Sequence, residues 1–385
     1  MTEGTLKLEV DWYTHLFAIY WFLLLFSTTQ ILGRVGLLLP VLFGLLVFLK
    51  YAKVILNAQV VMVYLLLAIA AFWISAAYRR TGEDIIAALT SSLLIFSNLG
   101  VAFLVAQFDG KKLYRVVLAF NIFMVSYIVV MRLAGFIVLD AIQIIFQSSS
   151  YHLLAWLLFI LNTLVLLPLA HSIEKKKILR LSFTFLLAMV SLQGRSGIVM
   201  GFLILFYVCW VYYRKYFALT VFLGLVFGVS GVVSFDPESL SFISDDLYSR
   251  GAKLGPREAL YGCYYLHIGW SEFLFGFNKA GLVGDCIAPI DPKSVGRTES
   301  SILSLISESG LIAVLLLGIL IKHMIRGFKG NKMFLVMVGA LLFRVISADF
   351  LFSTVFDWFI YFLAFSYTFA PHKKVPQNSE AISYL

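Results

Sequence analysis

Stretches of about twenty apolar residues recur along almost the whole chain, and a helix of that length crosses the hydrocarbon core of a bilayer. Hydrophobic residues make up 61% of the sequence and charged residues only 13%, whereas a soluble domain is about one quarter charged. This is too little polar surface to cover a water-soluble globule, which argues against a soluble enzyme, a disordered chain and a nucleic-acid-binding protein. We expect an all-α polytopic membrane protein that forms a single domain over residues 1–385.

Twelve segments have the length and composition of membrane-spanning helices. The apolar runs do not alternate as strands do, and an open sheet does not span lipid. Gly33-Arg34 and Gly194-Arg195 each interrupt a pair of segments, so each pair forms either two helices or one broken helix, and the total lies between about eleven and fourteen. The predicted spans are 14–33, 35–49, 58–77, 85–107, 115–135, 152–171, 178–194, 197–213, 215–234, 310–325, 332–348 and 351–370.

The distribution of lysine and arginine predicts the orientation of these spans. With the N-terminus inside, eighteen basic residues fall in the inside segments and four in the short outside loops, as the positive-inside rule requires. Both termini are then cytoplasmic, including a polar tail over 372–385, and the net charge of +9 reflects topology rather than a nucleic-acid partner. Because Glu3, Glu9 and Asp11 are unlike the basic start of a signal peptide, we expect the first span to remain as an anchor.

This topology puts the one long hydrophilic segment, residues 235–299, outside the membrane. Long loops in compact proteins are functional or disordered, and the many aromatic residues here argue against disorder. A helix that begins at Pro256 lies either in the membrane interface or on the bundle as a lid. Cys263 and Cys286 either form a disulfide in an oxidising compartment or stay separate thiols. The side chains on one face of the predicted helix are Arg257, Tyr261, Tyr264, Tyr265 and Ile268.

In the same predicted topology, the charged residues of the apolar segments lie at the depth of the outer leaflet. A midplane that is nearly free of charge disfavours an ion-coupled carrier, whereas arginines at headgroup depth suit a phosphate. Taken singly, each arginine has another explanation, since it can snorkel to water, and Arg344 can pair with Asp349 or Asp357. The sorted residues are Arg79, Arg80, Arg132, Arg195, Arg344, Asp349 and Asp357.

Sequence motifs for metal binding or nucleophilic catalysis are absent. The six histidines have no metal-ligand spacing, and neither a G-x-S-x-G nor a Walker motif occurs. If the chain is an enzyme, we expect it to use no metal and no cofactor, and to rely on arginines and a carboxylate.

Three segments, taken in order, resemble motifs of the O-antigen polymerase and ligase superfamily, and the resemblance covers about residues 193–320. Gln193–Gly197 resembles the Gly-Ser-Arg-Ser turn of that family. Leu274–Phe277 resembles its Leu-x-Gly-x-Gly element, although Asn278 or Gly281 stands at the second glycine. Thr298–Leu303 followed by Glu308–Leu311 resembles the His-Asn-Ser-Tyr-Leu and Glu-x-Gly elements before the next span, and Arg250 and Arg257 resemble the loop arginines.

The resemblance implies an integral-membrane glycosyltransferase of C-type architecture, with its large loop in the periplasm of the bacterial inner membrane. The donor would be a glycan on undecaprenyl pyrophosphate, in lipopolysaccharide biosynthesis. A polymerase transfers the growing chain to the next lipid-linked repeat unit, and a ligase transfers it to the lipid A core. A chain-length regulator protein is a further partner of such polymerases. A third hypothesis is a flippase or transporter of lipid-linked glycan, which would move the glycan without forming a new glycosidic bond.

Chemistry and resemblance together suggest roles for individual residues. A pyrophosphate leaving group needs charge stabilisation, which the resemblance assigns to the catalytic pair Arg195 and Arg257. Glu299 stands where the ligases have a histidine and is the candidate base, but after Thr298 it is equally well explained as a favourable first-turn acid of a helix. Glu258 and His267 are other candidate bases. The remaining substrate-binding candidates for pyrophosphate and glycan are Arg250, Arg297, Arg344, Tyr261, Tyr265 and His267.

Overall fold

The computed structural model describes residues 3–27, 36, 38–79, 82–145, 151–192, 195–214, 217, 221, 269–276, 301–327, 331–347 and 357–369, and these residues are helical with no strand. The loop 235–299 is therefore described only over 269–276, and the tail 372–385 lies outside the described residues. In this part of the chain the helices are α1 (Glu3–Ser27), α2 (Leu38–Asn57), α3 (Gln59–Arg79), α4 (Gly82–Gln107), α5 (Tyr114–Leu133), α6 (Val138–Ile145), α7 (Tyr151–His171), α8 (Lys175–Ser191), α9 (Arg195–Tyr212), α10 (Trp270–Phe275), α11 (Ser301–Gly327), α12 (Lys332–Ser347) and α13 (Trp358–Phe369).

Among the described residues, six stretches are long and apolar enough to cross a membrane, so the protein is an all-α polytopic membrane protein. They are Leu38–Asn57, Gln59–Tyr78, Ile85–Gln107, Gly110–Leu133, Leu153–His171 and Ser309–Gly327. Shorter apolar stretches are Trp12–Ser27, Gly197–Tyr212, Lys332–Phe343 and Trp358–Phe369. Each of the twelve predicted spans overlaps a described helix except 215–234, which lies almost entirely outside the described residues.

One predicted boundary is wrong, because α2 continues to Asn57 instead of ending near residue 49. Lys50 and Lys53 therefore lie in the helix rather than in a loop. The Lys50 ammonium lies 5.4 Å from the ring centre of Trp12 and 5.3 Å from that of Tyr51. A lysine held against aromatic faces extends its charge to the membrane edge while its backbone stays helical.

The α8 and α9 segments are two helices packed side by side rather than one broken helix. Gly197 and Gly201 of α9 permit this close packing, since a β-carbon at Gly197 would lie 2.7 Å from the Met189 sulfur, and one at Gly201 would lie 3.1 Å from the Leu186 Cα. The corresponding question at Gly33-Arg34 falls outside the described residues.

The contacts between helices show which helix ends lie at the same end of the bundle, and the described helix ends fall into two groups. We call the end that contains the start of α3 and the end of α4 the lower end, and the opposite one the upper end. Most described basic residues lie towards the lower end, in agreement with their grouping in the sequence, whereas Arg79, Arg132, Arg195 and Arg344 lie towards the upper end. The lower group comprises Lys7, Lys50, Lys53, Lys111, Lys112, Arg115, Lys175, Lys176, Lys177, Arg180, Arg214, Lys322, Arg326 and Lys332.

Small residues and buried amides hold the helices together, as is typical inside membranes. Where α2 crosses α4, a β-carbon at Gly44 would lie 2.7 Å from the Ser97 carbonyl oxygen, and one at Gly100 would lie 2.7 Å from the Phe48 amide nitrogen. Between α5 and α7, the amides of Asn121 and Asn162 donate to each other at 2.9 and 3.0 Å. These contacts fix helix pairs at short separation and in one register.

Candidate functional site

The short helix α10 is attached to the upper end of the bundle. The Ser75 hydroxyl of α3 donates a hydrogen bond of 2.5 Å to the Phe275 carbonyl oxygen. One turn further along α3, the ring of Tyr78 lies 5.0 Å from the ring of Phe275. Because α10 also packs on α11, it joins two spanning helices that are distant in sequence.

Two glycines make this attachment sterically feasible. Gly276 ends α10 with φ 87° and ψ 167°, and its N–H donates 2.8 Å to the Glu272 carbonyl oxygen. Gly310 breaks α11 with φ 60° and ψ −151°, a backbone region that essentially only glycine adopts. A β-carbon at Gly310 would lie 2.7 Å from the Gly276 nitrogen and closer still to the Leu274 carbonyl oxygen. The end of α10 therefore lies directly against the break in α11.

This contact joins two segments that the sequence singled out separately. Leu274 and Gly276 belong to the segment that resembles Leu-x-Gly-x-Gly. Gly310 is the glycine of Glu308-Ser309-Gly310, which resembles the Glu-x-Gly element. The Ser309 hydroxyl next to the break is buried and has no hydrogen-bond partner among the residues that the structure describes. The break thus combines a buried polar group with a backbone conformation that favours glycine.

A buried carboxylate lies at mid-depth in the bundle, which contradicts the expectation of a midplane nearly free of charge. Asp357 is only 3% exposed and interacts electrostatically with Tyr20, Tyr64 and Tyr361. Its carbonyl oxygen accepts from the amides of Ile360 and Tyr361 at the start of α13. The predicted span 351–370 put Asp357 at the outer leaflet.

The depth of Asp357 follows from the packing of α13. This helix has 12 residues, about 18 Å at 1.5 Å per residue, and it begins well below the upper end of the bundle. The Trp358 ring lies 6.3, 6.1 and 6.3 Å from the rings of Phe17, Tyr20 and Trp21 of α1. These aromatic contacts hold the start of α13 against the middle part of α1. Asp357, the residue before α13, therefore lies at a similar depth.

A small cavity adjoins Asp357 and reaches the broken helix. Its volume of about 20 Å³ is enough for one water molecule. Leu305 and Leu316, which lie on opposite sides of the Gly310 break, both line it. The other lining residues are Tyr64, Ala68, Phe72, Ser91, Leu94, Ile95, Leu317, Asp357 and Tyr361.

The predicted site residues are described only in part. Arg195 is the first residue of α9, and Arg344 lies in the last turn of α12. Since α9 and α12 pack together, both positions belong to the upper end, where α10 is also attached. The residues outside the described ranges are Arg250, Arg257, Tyr261, Cys263, Tyr265, His267, Cys286, Arg297 and Glu299.

Sequence reasoning did not single out Ser75 and Tyr78. Both lie in an ordinary apolar helix, and their role depends on a partner about 200 residues away. Gly276 and Gly310 carried the clearer signal, because isolated glycines beside an apolar run often mark a close backbone approach. No group of three or more His, Cys, Asp or Glu side chains suited to a metal occurs among the described residues.

The chain was compared with known proteins at three levels. No protein-family model matches it, and neither a curated protein nor a solved structure does so.

Proposed function

We propose that the protein is an O-antigen polymerase, an integral-membrane glycosyltransferase that joins lipid-linked repeat units. The observation that carries the proposal is the contact between Leu274–Gly276 and Gly310. These two motif segments resemble elements of one enzyme family, and an active site assembled from them requires that they meet. Their meeting point is at the upper end, together with Arg195 and Arg344.

In the proposed reaction the bond between the glycan C1 and the pyrophosphate oxygen breaks. A hydroxyl oxygen of the acceptor repeat unit forms the new bond to C1, its proton passes to a base, and undecaprenyl pyrophosphate leaves. Arg195, Arg257 and Arg250 stabilise the charge that develops on the leaving group. Glu299 accepts the proton. Supporting contacts to pyrophosphate and glycan come from Arg297, Arg344, Tyr261, Tyr265 and His267.

The proposal includes an arrangement in the membrane. About twelve spans form the C-type architecture, with 235–299 in the periplasm and both termini in the cytoplasm of the bacterial inner membrane. The basic residues grouped at the lower end support this orientation through the positive-inside rule.

A purified-enzyme assay tests the reaction directly. We would incubate the protein with undecaprenyl-pyrophosphate-linked repeat units and chelator, and read the product masses. We expect a ladder spaced by one repeat unit, which Arg257→Ala and Arg195→Ala abolish while Arg115→Ala, a change at the lower end, leaves it intact. A competent substrate that yields no ladder contradicts the proposal. Product that appears only after lipid A core is added indicates a ligase instead.

A second candidate, a carrier of lipid-linked glycan, is favoured by the buried carboxylate at mid-depth. Ion-coupled carriers place ionisable groups near the midplane beside broken helices, and Asp357 shares a cavity with both halves of the broken helix α11. Proteoliposomes containing a lipid-linked glycan distinguish the two functions. A carrier moves the glycan across the bilayer without a new glycosidic bond, and Asp357→Asn slows that movement. A polymerase makes the ladder whether or not a gradient is present.

A further inference from the structure

The position of α10 relative to the apolar layer follows from two independent helices. The membrane-spanning stretch of α3 ends at Tyr78, and that of α11 begins at Ser309. Helix α10 contacts both of these ends, through Ser75 and Tyr78 on one side and Gly310 on the other. It therefore lies where the apolar layer of the bundle stops.

The side chains of α10 divide into an apolar and a polar part. Trp270 is 82% exposed, and the neighbouring Leu274 is also exposed. Ser271 donates a hydrogen bond of 2.9 Å to the Glu272 carboxylate, which keeps the polar groups paired with each other. A tryptophan this exposed has an apolar body and a polar N–H, and such side chains are enriched at membrane–water interfaces.

The exposed apolar surface of the bundle continues onto α10. On α3, Trp73, Ile74 and Tyr78 are exposed within the membrane-spanning stretch that ends at Tyr78. In a bilayer this surface faces lipid, and the ring contact between Tyr78 and Phe275 joins it to α10. Lipid is thus the occupant that the surroundings of Trp270 favour.

We propose that α10 lies in the lipid headgroup layer, with the Trp270 indole inserted at the boundary between headgroups and acyl chains. The contacts of Phe275 with Ser75 and Tyr78, and of Gly310 with the end of α10, set the depth of this insertion. The bound partner is a phospholipid leaflet. This inference does not depend on the reaction proposed above, because it rests on depth and exposure alone.

Collision measurements on a spin label test the depth. Trp270→Cys is labelled in full-length protein with Cys209→Ala, Cys263→Ser and Cys286→Ser, in nanodiscs of phosphatidylcholine and phosphatidylglycerol. Leu89→Cys on the exposed face of α4 provides the lipid reference, and Lys176→Cys at the start of α8 provides the water reference. At residue 270 we expect oxygen collisions near the lipid reference and nickel-chelate collisions several-fold below the water reference.

Two results overturn the proposal. Nickel-chelate collisions at residue 270 equal to those at Lys176→Cys place α10 in water, and low collisions with both reagents mean that protein covers it. A second measurement avoids the cysteine changes by comparing the native chain with Trp270→Phe in brominated lipid. The difference in emission belongs to Trp270, and we expect it to be blue-shifted and quenched. An unquenched, red-shifted difference contradicts lipid insertion.

Discussion

Replacing Gly310 by alanine tests whether the attachment of α10 depends on a bare backbone. The added β-carbon would meet the Leu274 carbonyl oxygen and would lie 2.7 Å from the Gly276 nitrogen. Strain at φ 60° costs about 1–3 kcal/mol, and forcing packed groups apart costs about 1–3 kcal/mol more. We expect Gly310→Ala to lower the free energy of unfolding by about 2–6 kcal/mol, the sum of these two costs.

Gly318→Ala is the matched control because it lies in the same helix. No atom lies within 4 Å of a β-carbon at Gly318, and alanine in a helix interior is favoured over glycine by about 1 kcal/mol. Reversible unfolding in mixed micelles gives both free energies, and hydrogen exchange of the Gly276 amide reports detachment of α10. If Gly310→Ala proves as stable as Gly318→Ala, with unchanged exchange at Gly276, the reasoning about the break is refuted.

Three further changes probe buried, strained and charged positions. Asn121→Leu should cost about 1–2 kcal/mol in the free energy of unfolding, because Asn162 loses both bonds to Asn121 and keeps only its bond to the Leu158 carbonyl oxygen, and the double change to leucine should cost less than the sum of the single changes. Ile173 has φ 57° between α7 and α8, so Ile173→Gly should raise the melting temperature, and a decrease would contradict strain at this position. The hydrogen bond from Lys177 lowers the pKa of Glu174, so native protein should melt above Glu174→Gln at neutral pH, and this advantage should disappear as the pH falls through the lowered pKa.

Helix positions could be predicted well from sequence because hydropathy depends on local composition. The predicted span 85–107 matches the apolar stretch Ile85–Gln107. The end of α2 could not be predicted, because a lysine after an apolar run indicates the end of a span. The contacts of Lys50 with Trp12 and Tyr51, which show how its charge is accommodated within the helix, are visible only in the structure.

Depth was harder to predict than helicity. Hydropathy gives the position of Asp357 within the apolar segment 351–370. How deep that segment lies in the bundle depends on the packing of Trp358 on α1, which the sequence does not show. The attachment of α10 was equally inaccessible, since Ser75 carries no local signal of its bond to Phe275. Only the glycines indicated where two distant segments approach each other.

The crossing of α2 and α4 has a consequence for the lipid around the protein. At Gly44 and Gly100 the two backbones leave no gap that an acyl chain can enter. Only 28% of the residues in the α2 span are buried inside the protein. Much of the surface of this helix therefore faces the acyl chains of the bilayer, which solvate an apolar helix as well as the bundle does. Close backbone packing at Gly44 and Gly100 therefore holds α2 on α4. A methyl group added at either glycine would separate the two helices and open a gap that an acyl chain can enter.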